Sequence, residues 1–260
     1  MNYLILSVVV YYSWDINVRD MALKTLLLLL VVCISVKAET LFNPCVKDDV
    51  KCVGAATQTF MSKTYGGYPK LGIKPIDPLI VPSTDISIDE KIGLVLHFKN
   101  TNITGLKNLQ IIDFKLDTDK NIGLMKMQAD VSIVSDVEVE LTKLQKVFKG
   151  PYTASTTIVG TSEYGANLKT VNGKQYFDLG PETTNCEILG EPIVSLGAEL
   201  QGAIDKDNDA SRLRPEYEAK KSALRKKALC VVLKQGFSTI ISNLRSVANA
   251  FDKSAFFTDI

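Results

Sequence analysis

A single histidine, His97, is available for nucleophilic catalysis, and any Ser-His-Asp or Cys-His arrangement would have to use it. It lies in the alternating run Glu90 to Lys99, on the side opposite Ile92, Leu94, Leu96 and Phe98. That is the place of a surface or partly buried structural histidine. The string Gly160-Thr161-Ser162-Glu163-Tyr164-Gly165 has the spacing GxSxxG, whereas a nucleophile elbow needs GxSxG. No Gly-rich phosphate loop, H-E-x-x-H string or spaced ligand cluster occurs. With one histidine and no C-x-x-C pair, the cysteines do not suit zinc. Carboxylates are scattered, and paired acid/base roles for them stay open. These residues lead us to expect a protein that binds rather than catalyses, with no metal and no cofactor.

The cysteines fit an oxidising compartment. Met21-Ala22-Leu23-Lys24, the apolar run that follows and Val36-Lys37-Ala38 have the form of a secretory signal cut after Ala38. Residues 21–38 are therefore expected to be a signal peptide, and 1–20 an extra leader upstream of it. If Met1 is the true start, the signal is longer. Cys33 and Trp14 would be lost with this region. The mature chain, 39–260, keeps Cys45, Cys52, Cys186 and Cys230, which allow three pairings. Cys45 and Cys52 are close enough to staple a turn or a helix start, which would leave Cys186 with Cys230. A bridge closing that longer loop would stabilise the fold by about 4 kcal/mol. Asn102-Ile103-Thr104 is an N-glycosylation sequon, so Asn102 is a candidate glycan site in a loop between strands.

Charge and composition narrow the partners. Thirty basic against 29 acidic residues give no electrostatic footprint for nucleic acid. With 46% hydrophobic residues the chain can bury a sizeable core. The apolar run before Ala38 is too short to favour a spanning helix, so no membrane insertion of the mature protein is expected. The expected partner is a small hydrophobic ligand, and the chain is expected to be a monomer.

The elements that position these residues follow a simple order. Val46, Val50, Val53, Ala56 and Phe60 predict a short amphipathic helix between Cys45 and Met61. A Gly- and Pro-punctuated stretch from Gly66 to Pro78 must be extended and turn-rich. Period-two alternation then predicts strands at 90–99, 109–116 and 122–141, the last with a bend near Ser135 and Asp136. Further strands are predicted at 152–159, 164–171, 175–179 and 188–196, with Asn172-Gly173 as a hairpin turn. Asp205 to Asn208, with Ser211, reads as a polar loop.

The last element is a long helix from Pro215 to Phe251, with Pro215 at its first position. Its apolar stripe runs through Tyr217, Leu224, Ala228 and Val231 or Val232, then Phe237, Ile240, Ile241, Leu244, Val247, Ala248 and Phe251. Lys220, Lys221, Arg225, Lys226 and Lys227 crowd the other face. At roughly 55 Å the helix is longer than a small domain is wide. One α+β domain, a strongly curved antiparallel sheet wrapping this helix, is the simplest packing. Gaps at the ends of such a roll are natural sites for an apolar ligand.

Several long strings carry a resemblance. They are Pro44-Cys45 with Cys52, Gly72 to Leu79 (GIKPIDPL), and Phe98 to Asn108 (FKNTNITGLKN). Further ones are Tyr164-Gly165 with Asn167-Leu168-Lys169, Pro181-Glu182-Thr183 with Cys186, Gly190-Glu191-Pro192, Cys230, and Ser254-Ala255-Phe256-Phe257. With these, the mature chain resembles the moth-type haemolymph juvenile hormone binding proteins, within the takeout-like group of insect lipid carriers. The second cysteine pair separates that family from takeout-like proteins in general.

The resemblance implies the takeout/TULIP-like roll and the disulfides Cys45–Cys52 and Cys186–Cys230. It implies a secreted haemolymph carrier of juvenile hormone, a sesquiterpenoid epoxide methyl ester. The alternative is a takeout-like carrier of another small lipid, such as a fatty acid or terpenoid. By position, Tyr164 matches the tyrosine that donates to the ligand epoxide, and Phe256 and Phe257 match tail residues that cap the pocket. Val53, Ala56 and Phe60 fall on the helix that gates it. Glu163, Ala166 and much of 203–215 are not diagnostic of the family.

Overall fold

The structure is a computed structural model and describes residues 41–260. The expected leader 1–20 and signal 21–38, with Trp14 and Cys33, lie outside the described residues. Helix α1 (Val50–Thr64) begins where the Asp49 carboxylate accepts from the Cys52 N–H at 2.9 Å. Six antiparallel strands follow: β1 (Leu79–Asp89), β2 (Leu94–Thr104), β3 (Gln110–Asp117), β4 (Ile122–Leu141), β5 (Lys146–Val171) and β6 (Lys174–Leu196). Helices α2 (Ala198–Lys206) and α3 (Asn208–Ala250) come next, followed by a tail with one 3-10 turn (Lys253–Ala255).

The sheet order is β1-β2-β4-β5-β6, and β3 pairs with β4 as well. Strands β2 and β3 share one side of β4, β2 along its C-terminal half and β3 along its N-terminal half. Helix α3, at 1.5 Å per residue about 65 Å long, packs against both edge strands, β6 and β1. A sheet whose two edges reach one helix is rolled around it. The core is the inside of that roll, and Phe98, Met127, Ile158, Leu233 and Phe237 are fully buried there. This is the α+β roll that the sequence predicts.

Long alternation makes the long strands. In β4 every odd-numbered residue from Gly123 to Val137 faces inward and is buried. The strand runs unbroken through Ser135 and Asp136, where a bend is expected. Ser135 keeps the inward phase, its hydroxyl bonded to Thr101 Oγ1 at 2.8 Å and donating to the Lys99 carbonyl at 2.9 Å. The irregularity lies on the partner strand, between Lys99 and Asn102, where Asn100 has φ 51°. Strand β5 likewise runs unbroken through Gly160 and Ser162, which the sequence reading left between two strands. A Cβ on Gly160 would lie 2.4 Å from the Phe237 ring, so glycine here lets the helix approach the sheet. The buried Ser162 hydroxyl is bonded to Thr184 Oγ1 at 2.9 Å.

Other expectations are corrected. Strand β1 was not predicted, because Pro82 interrupts it and the buried positions change phase from Leu79 and Val81 to Ile86 and Ile88. An edge strand tolerates such a proline. The 205–208 segment is not a loop but the junction of α2 and α3. Asp207 is the N-cap of α3, accepting from Asp209 and Ala210 N–H, so the helix starts before Pro215 and contains it. Lys146 holds this junction to the sheet through Asp207 and Asp209, both at 2.8 Å. Asn102 lies within β2, opposite Ile80 and Val134, rather than in a loop.

The basic face of α3 is partly spent on closing the roll. Lys227 donates to the Ser87 and Ile88 carbonyls and Lys220 meets Asp89, each at 2.8 Å, so both grip β1. On the other edge, Cys230 is bridged to Cys186 of β6, with the Cα atoms 5.6 Å apart. Arg245 donates to the Leu179 and Gly180 carbonyls and pairs with Glu182 at 2.8 Å. The strings Pro181-Glu182 and Gly190-Glu191-Pro192 fall on the register shifts of β6 against β5, where the ladder is interrupted.

His97 lies on the outer face between Glu140 and Asp85, 2.9 Å from each. Bonds to Glu140 and Asp85 raise its pKa above the ordinary 6.5. Protonation therefore favours the fold. The gain is complete below the unfolded-state value and is lost as pH rises through the raised one. In urea titrations across this range, His97→Gln should flatten the pH dependence by less than about 1 kcal/mol, since one partner is exposed.

Candidate ligand-binding chamber

One end of the roll holds a cavity of about 140 Å³. Its floor is sheet and spine. Phe114 and Leu116 come from the inward positions of β3, Tyr164 from β5, Phe177 and Leu179 from β6, and Ile240, Leu244 and Val247 from successive turns of α3. The outer wall is α1, through Val53, Ala56, Phe60 and Met61, together with Phe42 and the tail residues Phe256 and Phe257. All six residues expected at a ligand site, Tyr164, Phe256, Phe257, Phe60, Val53 and Ala56, reach this one cavity.

Tyr164 places a phenol in a mostly apolar interior. Its side chain is 4% exposed. The ring lies on Gly123, its cross-strand partner, where an added Cβ would sit 2.4 Å from the ring edge. Among the described residues no protein group bonds its hydroxyl. Burial pushes its pKa well above the ordinary value of 10, so the group stays a protonated donor. Two neighbouring polar groups on the wall, Asn243 and Thr64, are already used. Asn243 accepts from Lys74 N–H and donates to the Lys74 carbonyl, both at 2.8 Å, and Thr64 donates to the Phe60 carbonyl. A dry cavity with an uncommitted phenol can take an apolar molecule and orient it by one acceptor.

The outer wall is tied to the first disulfide. Cys45 and Cys52 are bridged, with Cα atoms 5.8 Å apart, which fastens the N-terminal segment to α1. Cys45 N–H donates to the Phe256 carbonyl and Thr258 N–H to the Cys45 carbonyl, both at 2.9 Å. The tail is thus a short parallel pairing on Cys45. Aromatic packing continues it: Phe42 lies 5.0 Å from both Phe60 and Phe256, and Phe177 lies 5.8 Å from Phe257. Sequence reasoning missed Phe42, Phe114 and Phe177. Phe114 had a signal in the alternation of its strand; Phe42, ahead of the first cysteine, had none.

The groups weighed for catalysis are not assembled. His97 is engaged on the outer face, and Ser162 is buried against Thr184. Among the described residues no cluster of three or more His, Cys, Asp or Glu could hold a metal, and no helix is long and apolar enough to cross a membrane.

The family model for haemolymph juvenile hormone binding protein (JHBP) matches residues 26–179. Over 221 residues the chain is 42% identical to the juvenile hormone-binding protein of Manduca sexta, which spans 85% of this chain and 96% of that protein. The fold is similar to the crystal structure of Epiphyas postvittana Takeout 1, with a TM-score of 0.68 over 83% of this chain and 99% of that one. At 14% identity this last likeness concerns the fold alone.

Proposed function

The chain belongs to the haemolymph juvenile hormone binding protein family, and from this premise we propose that it is a secreted haemolymph carrier of juvenile hormone. The observation that carries the reading is the buried aromatic chamber with its uncommitted Tyr164 hydroxyl. The hormone is apolar except for an epoxide and a methyl ester. Burying its chain is favourable by about 25 cal/mol per Å², and one fixed donor sets the direction in which it lies. Val53, Ala56, Phe60, Phe256 and Phe257 enclose it. The mechanism is sequestration: the hormone is kept dissolved, and its ester stays out of reach of hydrolases. We place the start of the mature chain after Ala38 and read it as a monomer. Carriage of another small lipid is the second reading, favoured by the takeout-like fold.

Radiolabelled hormone should bind the mature protein saturably at submicromolar concentration and be recovered as intact ester. Absence of saturable binding there would sink the proposal, and displacement by fatty acids in preference to the hormone would favour the second reading.

Gly123 offers a separate check on the chamber. A Cβ there meets the Tyr164 ring rather than empty space. Overpacking of this kind costs about 1–3 kcal/mol. Gly123→Ala is expected to lower hormone affinity about tenfold by displacing the ring, as read in the same assay. Unchanged affinity would show that the position of Tyr164 is not critical.

A further inference from the structure

A second cavity, of about 330 Å³, lies at the other end of the roll and shares no wall residue with the first. Leu96, Val139, Phe148, Leu196, Ile204 and Leu224 give it an apolar wall drawn from β2, β4, β5, β6, α2 and α3. Three cations from α3, Arg214, Lys221 and Arg225, also reach it, together with one carboxylate, Glu218. Two of them are matched, Arg214 to Asp205 and Lys221 to Glu218 at 3.0 Å. Among the described residues no carboxylate pairs with Arg225. Its Nε donates to the Tyr217 hydroxyl at 3.3 Å, and its two terminal nitrogens bond no described group. Beside it is Tyr152, 4% exposed, with Phe98 edge-on at 5.0 Å and no partner for its hydroxyl among the described residues. Burial raises the Tyr152 pKa above 10, although the charge of Arg225 pulls the other way, so this phenol too remains a donor.

A guanidinium fork and a protonated phenol on an apolar cavity complement a carboxylate on a long apolar chain. We infer that this second chamber binds such an amphiphile, with Arg225 taking the carboxylate and Tyr152 adding a donor. A neutral methyl ester gains no charge pairing from Arg225, and the two cavities share no wall residue, so the site is distinct from the proposed hormone chamber and does not rest on it. A saturated fatty acid and the acid left by hydrolysis of a terpenoid ester share the required chemistry.

The mature chain, 39–260, has no tryptophan, which permits two single-tryptophan reporters. Phe148→Trp reports the second chamber and Phe60→Trp the first. Palmitate should shift the emission of the Phe148→Trp protein saturably and leave the Phe60→Trp protein unchanged. In the Phe148→Trp background, Arg225→Gln should weaken palmitate at least tenfold and methyl palmitate by less than about threefold, and Arg225→Lys should recover part of the loss. Tyr152→Phe, which keeps the ring packing, should weaken palmitate about threefold. Repeating the titration with farnesoic acid identifies which acid class fits better. The inference is overturned if palmitate is seen in the Phe60→Trp protein alone, if neither reporter responds, or if the substitutions weaken acid and ester alike.

Discussion

Tyr164→Phe is expected to weaken binding of the epoxide hormone by roughly tenfold or more, and binding of an otherwise identical ligand without the epoxide by less than about twofold. The asymmetry follows from what each complex loses. The phenyl ring keeps its seat on Gly123, so packing against the ligand is preserved. What disappears is one donor in a dry cavity, which leaves the epoxide oxygen desolvated without a partner, a cost of about 1–3 kcal/mol. A ligand with no epoxide has nothing there to lose. Stability should hardly change. Tyr164 is a buried residue on the cavity wall and its hydroxyl bonds no described group, so removing that hydroxyl should leave the unliganded protein about as stable in thermal unfolding. Equal losses for both ligands would make Tyr164 a packing residue. A large fall in unliganded stability would mean that the hydroxyl has a structural partner.

The residues behind this prediction were legible to different degrees, for physical reasons. Strand β4 could be read from the chain alone, because its odd-numbered positions keep one phase over its whole length. Strand β5 could not. Gly160 and Ser162 look like a break until Phe237 and Thr184 supply the reasons for a missing side chain and a buried hydroxyl. The start of α3 was misplaced because Pro215 carries a strong local signal, whereas the operative cap is an ordinary aspartate, Asp207. Tyr164, Phe60, Phe256 and Phe257 were reached through the resemblance. Phe42 and Phe177 join them only because the roll brings the N-terminal segment, β6 and the tail to one end. Arg225 is the sharpest case. Counted on the helix it belongs to a basic face, and only the rolled sheet turns that part of the face toward a cavity.

The two disulfides should separate stability from binding. Cys186 lies opposite Gly160 in the middle of the roll, and neither it nor Cys230 lines the first chamber. Their bridge closes a loop with a sequence separation of 44. Its loss in the Cys186→Ser/Cys230→Ser protein is expected to cost about 4 kcal/mol of stability in denaturant titrations. Hormone affinity, measured where that protein is still folded, should change less than about threefold, because Arg245, Lys220 and Lys227 still hold α3 to both sheet edges. The other bridge spans a separation of 7, and its loss should cost less stability, about 2–3 kcal/mol. Its effect on binding should be the larger one. Cys45 belongs to the chamber wall, and its backbone carries both hydrogen bonds that hold Phe256 and Thr258. Freed from α1, this segment lets the tail leave the cavity mouth, so Cys45→Ser/Cys52→Ser should release bound hormone at least tenfold faster. The reverse pattern, slow release without the first bridge and fast release without the second, would move control of the chamber from its outer wall to the spine.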